Sequence, residues 1–205
     1  MSRRRAPVAG LLAGLLAGLP AGLSSVPAAI AQVQSTRPGA HAGTQIAFPA
    51  AVGGATLERS VNYAAPPNNR PDQGVRYYYS TPKKMIIGVH LYDGGRRVPP
   101  GSGNPVVIDE FMRALTTAEL QVRHGGYTGF ERPPAPSTCS FGNATFRCIT
   151  YSALNQGNAR LFTKMMMTGY RDHFLGIQVD WSQARGQSAA DADAALKAFV
   201  TALLQ

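Results

Sequence analysis

Between Cys139 and Trp181 the chain has room for little but antiparallel ribbon. Cys139-Ser-Phe-Gly-Asn-Ala-Thr-Phe-Arg-Cys148 reads as two strand segments around a Gly142-Asn143 turn. The second segment is expected to run to Leu154, and Asn155-Gln-Gly157-Asn158 then turns the chain. Ala159 to Tyr170 follows as a long strand, Arg171-Asp172 is a two-residue turn, and His173 to Trp181 is the last strand. Leu175, Ile177, Val179 and Trp181 fall on one face of it, with Gly176, Gln178 and Asp180 on the other; that period of two marks a half-buried strand. Strands joined by turns this short must pair antiparallel, because a parallel pair needs a long crossover.

The first half of the chain repeats the pattern. Thr56 to Tyr63 is an expected strand introduced by Gly53-Gly54, and residues 64–74, with Pro66, Pro67, Pro71 and Gly74, are a loop. Val75 to Ser80 and Lys84 to Asp93 are strands joined at Thr81-Pro82-Lys83, the second alternating Ile87, Val89 and Leu91 against Gly88, His90 and Tyr92. After a Gly/Pro loop over 94–103, Asn104 and Pro105 open a helix as N-cap and first helical residue. Val107, Phe111, Leu115, Ala118 and Val122 form its apolar stripe, and Gly125-Gly126 ends it. Residues 127–137 read as a Pro-rich loop. A closing helix starts at Ser188, with Asp191 three residues on, and presents Ala192, Leu196, Phe199 and Leu203.

The expected fold is therefore α+β: a mainly antiparallel sheet of about six or seven strands packed with two helices. Tyr79-Ser80-Thr81-Pro82 at a strand turn, a strand ending Tyr92-Asp93, the mid-chain helix, a meander with Thr168-Gly169-Tyr170-Arg171 and the closing helix resemble a group of small exported bacterial proteins. The element order is similar to the PsbP/Mog1-type α-β-α sandwich over residues 50–204. That resemblance implies an accessory or interaction module and brings no catalytic residues to carry over.

The N-terminus places the chain outside the cytoplasm. Arg3, Arg4 and Arg5 precede an uncharged Ala/Gly/Leu/Val stretch from Ala6 to Leu23, which ends in small residues at Ala29-Ile30-Ala31. Basic, apolar, then A-x-A is the order of a secretory signal peptide. The glycines and Pro20 weaken the stretch as a permanent anchor. The expected organisation is a signal peptide over 1–31, a flexible leader over 32–44 and a single domain over 45–205, periplasmic or secreted after cleavage near Ala31-Gln32. Removing the signal leaves 174 residues, enough for one real core, and lowers the net charge from +9 to +6.

Export decides how the two cysteines are read. In an oxidising compartment Cys139 and Cys148, at the ends of one hairpin, are expected to close a disulfide. A redox pair would have C-x-x-C spacing, and a zinc site would need two further ligands nearby. The modest positive charge suits an envelope protein or an anionic component of the cell envelope as partner. The basic residues are scattered, so nucleic acid is not expected, nor is a transmembrane segment after the signal.

Other motifs resolve into bland readings. Gly101-Ser-Gly103-Asn-Pro lacks the short turn and third glycine of a dinucleotide loop, and Pro105 removes a donor. Met165-Met166-Met167 invites copper, but on a strand the three alternate faces and pack as core. His90 and His173 lie on strands and His41 in the leader, with no G-x-S-x-G, H-E-x-x-H or paired acids beside them. Tyr77-Tyr78-Tyr79 must put rings on both sheet faces, and an uncovered face would be a binding surface. No catalytic, cofactor or metal residue is assigned. The expectation is a non-catalytic binding or accessory module acting through a sheet face or the loops 94–103 and 125–137. The alternatives are a small periplasmic hydrolase, with His90 or His173 meeting an acid or nucleophile, and a metal carrier joining Met165, Met167 and a histidine.

Overall fold

The computed structural model describes residue 41 and residues 43–205. The expected signal peptide, and the leader up to residue 40, lie outside the described residues. Nine strands and two helices follow one another: β1 (Ala51–Val52), β2 (Ala55–Asn62), β3 (Val75–Ser80), β4 (Ile86–Tyr92), α1 (Pro105–His124), β5 (Thr128–Glu131), β6 (Ser137–Phe141), β7 (Ala144–Leu154), β8 (Arg160–Tyr170), β9 (His173–Ser182) and α2 (Ala189–Leu203). All pairings are antiparallel in one sheet of order β1-β2-β3-β4-β9-β8-β7-β5. β6 pairs the first half of β7, and β5 pairs its end.

The α+β class holds, but the sheet is larger than six or seven strands. Two short edge strands account for the difference. β1 has two residues, folded back on β2 by Gly53 and Gly54, both at positive φ. β5 falls in the segment read as a Pro-rich loop. It is an almost fully exposed edge strand with an irregular register, so no period of two marks it. β4 starts at Ile86 rather than Lys84, because Lys84 turns the chain at φ 60°. Both helix starts are as expected. The Asn104 side chain accepts from Val106 N, and Ser188 and Asp191 close a reciprocal capping box. Arg171 and Asp172 both take positive φ, the two-residue turn that matches the twist of β8 and β9.

Each face of the sheet carries one helix. On one side α2 buries Ala192, Leu196, Phe199, Val200 and Leu203 against Ile87, Val89, Ile177, Val179 and Trp181. The chain before β1 completes that core. Phe48 stacks on Tyr77 at 3.8 Å, and Tyr79 donates to Pro49 O at 3.1 Å. Thr44, at the end of the expected leader, is already buried, and Arg171 Nη1 donates to its carbonyl at 2.6 Å. On the other side α1 buries Val107, Phe111 and Leu115 against Ile149, Tyr151, Met165, Met167 and Phe174.

Cys139 and Cys148 are bonded, with Cα atoms 6.0 Å apart. They are not directly opposite: Cys139 pairs with Phe146 and Cys148 with Ser137. They are diagonal neighbours on one face of the hairpin, a separation within disulfide reach. The loop 94–103 is pinned rather than free. Gly101 and Gly169 exchange both backbone bonds, and a Cβ at Gly169 would meet Pro99 O at 1.9 Å, so only glycine allows the approach.

Candidate functional site

The register lines up side chains in rows across the α1 face of the sheet. One row runs Arg76, His90, Gly176, Met167, Arg147. The next runs Tyr78, Gly88, Gln178, Met165, Ile149, and the third Ser80, Ile86, Asp180, Thr163, Tyr151. α1 rests over β5, β7 and β8. The rows are therefore apolar and buried at the Met165, Met167 and Ile149 end. At the β3, β4 and β9 end they turn polar: Arg76, Tyr78, Gln178 and Asp180 are half-buried, and Ile86 is 36% exposed.

A polar chain crosses this open half diagonally. Thr163 Oγ1 donates to Asp180 Oδ1 at 2.6 Å, and Gln178 Nε2 donates to Asp180 Oδ2 at 3.4 Å. Gln178 and the Arg76 guanidinium meet over Gly88: a Cβ there would lie 3.2 Å from Gln178 Cγ and 3.5 Å from Arg76 Nη2. Burial pushes the Asp180 carboxyl above its ordinary value, against the opposing pull of Thr163, Arg76 and Gln178. Burial, with the Asp180 charge next, also raises the Tyr151 hydroxyl. The guanidiniums of Arg59 and Arg76 both lie over the Tyr78 ring, 4.0 and 5.1 Å from its centroid. Neither forms an ion pair among the described residues. Arg76 Nε and Arg147 Nε are buried without a hydrogen-bond partner among the described residues.

A second polar group ties α1 to the sheet. Tyr92 OH donates to Glu110 Oε1 at 2.5 Å, Arg113 binds both carboxylate oxygens, and Arg96 stands 3.8 Å away. Glu110 is 5% exposed. Burial pushes its carboxyl up, but the bonds from Arg113 and Tyr92 and the charges of Arg113 and Arg96 outweigh it and hold the carboxyl below its ordinary value.

The histidines are committed to backbone. His90 stacks on Tyr92 at 4.3 Å, and its Nε2–H donates to Gln73 O at 2.7 Å. Burial pushes its pKa down to about 4 despite that bond, so the ring is neutral at pH 7. His173 Nδ1–H donates to Arg171 O at 2.8 Å, and its ring meets His41 edge-on at 5.0 Å. Among the described residues neither His90 nor His173 is hydrogen-bonded to an acid or a nucleophile. Met166 lies in the α2-side core and Met165 and Met167 in the other. Met167 shares a row with His90, with Gly176 between them. Of the tyrosine run, Tyr77 and Tyr79 are covered by Phe48 and Phe199, and Tyr78 lies on the open half. Sequence reasoning placed Asp180 and Gln178 on a polar strand face but did not join them to Arg76 and Thr163. β3 and β9 are far apart in the chain, and only β4 between them sets their rows side by side.

No protein-family model matches the chain, and no curated protein is similar enough to count as a match. Among the described residues no helix is long and apolar enough to cross a membrane.

Proposed function

We propose that this chain is an exported, non-catalytic binding module whose docking surface is the open half of the α1-side sheet face. The observation that carries the reading is the composition of that surface: unpaired Arg59 and Arg76, the Tyr78 ring and Ile86, on a rigid sheet. Arginine and aromatic residues are the types enriched where proteins dock. The positive groups favour an acidic partner, an envelope protein or an anionic envelope component. The helix-sheet-helix layering supports placing the chain beside PsbP/Mog1-type accessory modules. Export rests on the N-terminal pattern, and the bonded cysteines agree with an oxidising compartment.

Affinity capture of the 32–205 form from envelope extract tests the reading, run beside a Tyr78→Ala/Ile86→Ala variant of unchanged melting behaviour. The wild type should retain a partner that the variant loses. Retention of nothing by either, alongside turnover of a generic ester or peptide substrate, would establish the hydrolase alternative instead.

A further inference from the structure

We infer that Arg59, Arg76 and Tyr78, set over Gly88, form a subsite for a carboxylate group. The inference rests on the docking reading above and names the chemistry it would recognise. Four observations converge. Two guanidiniums share one aromatic ring, and neither has a carboxylate partner among the described residues. Arg76 Nε is buried and donates to nothing among the described residues, an expense that an incoming acceptor would remove. Gly88 leaves the floor bare, so the Arg76 fork can lie beside Gln178. An irregularity in the pairing between Leu57 and Arg59 brings Arg59 opposite Tyr78 rather than one residue out of step.

The same arrangement selects among anions. A guanidinium fork matches the two oxygens of a planar carboxylate, and the Tyr78 ring lies against both guanidiniums. The Asp180 carboxyl, hydrogen-bonded by Gln178, lies within coulombic reach of Arg76. A singly charged carboxylate is accommodated beside it more easily than the double charge of a phosphate. Asp180 itself is engaged by Thr163 and Gln178 and does not close onto Arg76 as an ion pair. The carboxylate can belong to a free acid or to an acidic segment of a partner protein, and these are separated by the probe.

The test is titration of the 32–205 form at constant ionic strength, following the arginine Nε–Hε resonances. The probes are glutarate, a tri-glutamate peptide with blocked ends, inorganic phosphate and chloride. Arg59 and Arg76 should shift saturably with a carboxylate probe, and Arg76→Gln should weaken that binding about tenfold or more, as expected for a charge-assisted bond. Arg185→Gln, in the 3-10 turn Gln183–Arg185 that follows β9, should leave it unchanged. Saturation with glutarate assigns the group to a free acid; saturation with the peptide alone assigns it to a protein segment. Shifts that are linear and equal to those with chloride, or tighter binding of phosphate than of either carboxylate, overturn the inference. Capture that depends on Tyr78 and Ile86 would survive that failure, so the two readings fall separately.

Discussion

Two carboxyls at the α1-side face of the sheet, Glu110 on α1 and Asp180 on β9, answer to pH in opposite senses. Glu110 is held below its ordinary value by Arg113 and Tyr92, so its contribution is present above the ordinary glutamate range and is lost as pH falls through the folded-state value. Glu110→Gln should cost about 1.5–3 kcal/mol at neutral pH, the worth of hydrogen bonds to a charged group. In urea unfolding across pH, that gap should close on acidification. Asp180 is the reverse. Burial raises its folded-state value above the unfolded one, so the wild type gains stability as pH falls through that value. Asp180→Asn should be at least as stable as the wild type at neutral pH and lose that advantage on acidification. Both positions could be named from the sequence as polar residues on amphipathic elements. Which carboxyl has cations closing on it and which is mainly desolvated depends on chains that meet only in three dimensions.

Among the elements, the β6–β7 hairpin carries the one covalent constraint. It joins residues nine apart, so the disulfide removes little freedom from the unfolded chain. Its loss in a Cys139→Ser/Cys148→Ser variant should cost about 2–3 kcal/mol by loop entropy, read as a lowered urea midpoint. The variant should still fold, because Phe141 and Phe146 in the same hairpin are buried in the α2-side core. The hairpin, both helix starts and the β8–β9 turn were legible because local chemistry specifies them: glycine and asparagine at turns, asparagine and serine at caps. β1 and β5 were not. Both are short edge strands, and an edge strand forms because a partner offers hydrogen bonds, not because its own residues alternate.

The whole molecule is two cores sharing one sheet. Phe111 lies in the α1-side core and the single tryptophan, Trp181, in the other. β9 supplies residues to both, since Phe174 points one way and Leu175 the other. The two layers should therefore unfold together. Phe111→Ala should cost about 3–5 kcal/mol, as deletion of a buried aromatic ring does. The loss should appear undiminished in Trp181 fluorescence, coincident with far-ultraviolet circular dichroism. A tryptophan transition left in place by Phe111→Ala would show that the α1 layer opens alone.

From its own residues the chain determined an antiparallel α+β fold, both helices with their starts, the hairpin that brings the cysteines within reach and the alternation that splits the methionines between faces. These follow from period and turn chemistry, which act over a few residues. Tertiary structure alone decided that α1 lies over β5, β7 and β8, leaving the rows through Tyr78, Gly88 and Gln178 and through Ser80, Ile86 and Asp180 uncovered by it at their β3-β4-β9 end. It also decided that Thr163 and Gln178 bond Asp180 beside the Arg76 guanidinium. The reason is the strand order. Five elements and eighty residues separate β4 from β9, yet the sheet makes them neighbours, and no local pattern encodes that pairing.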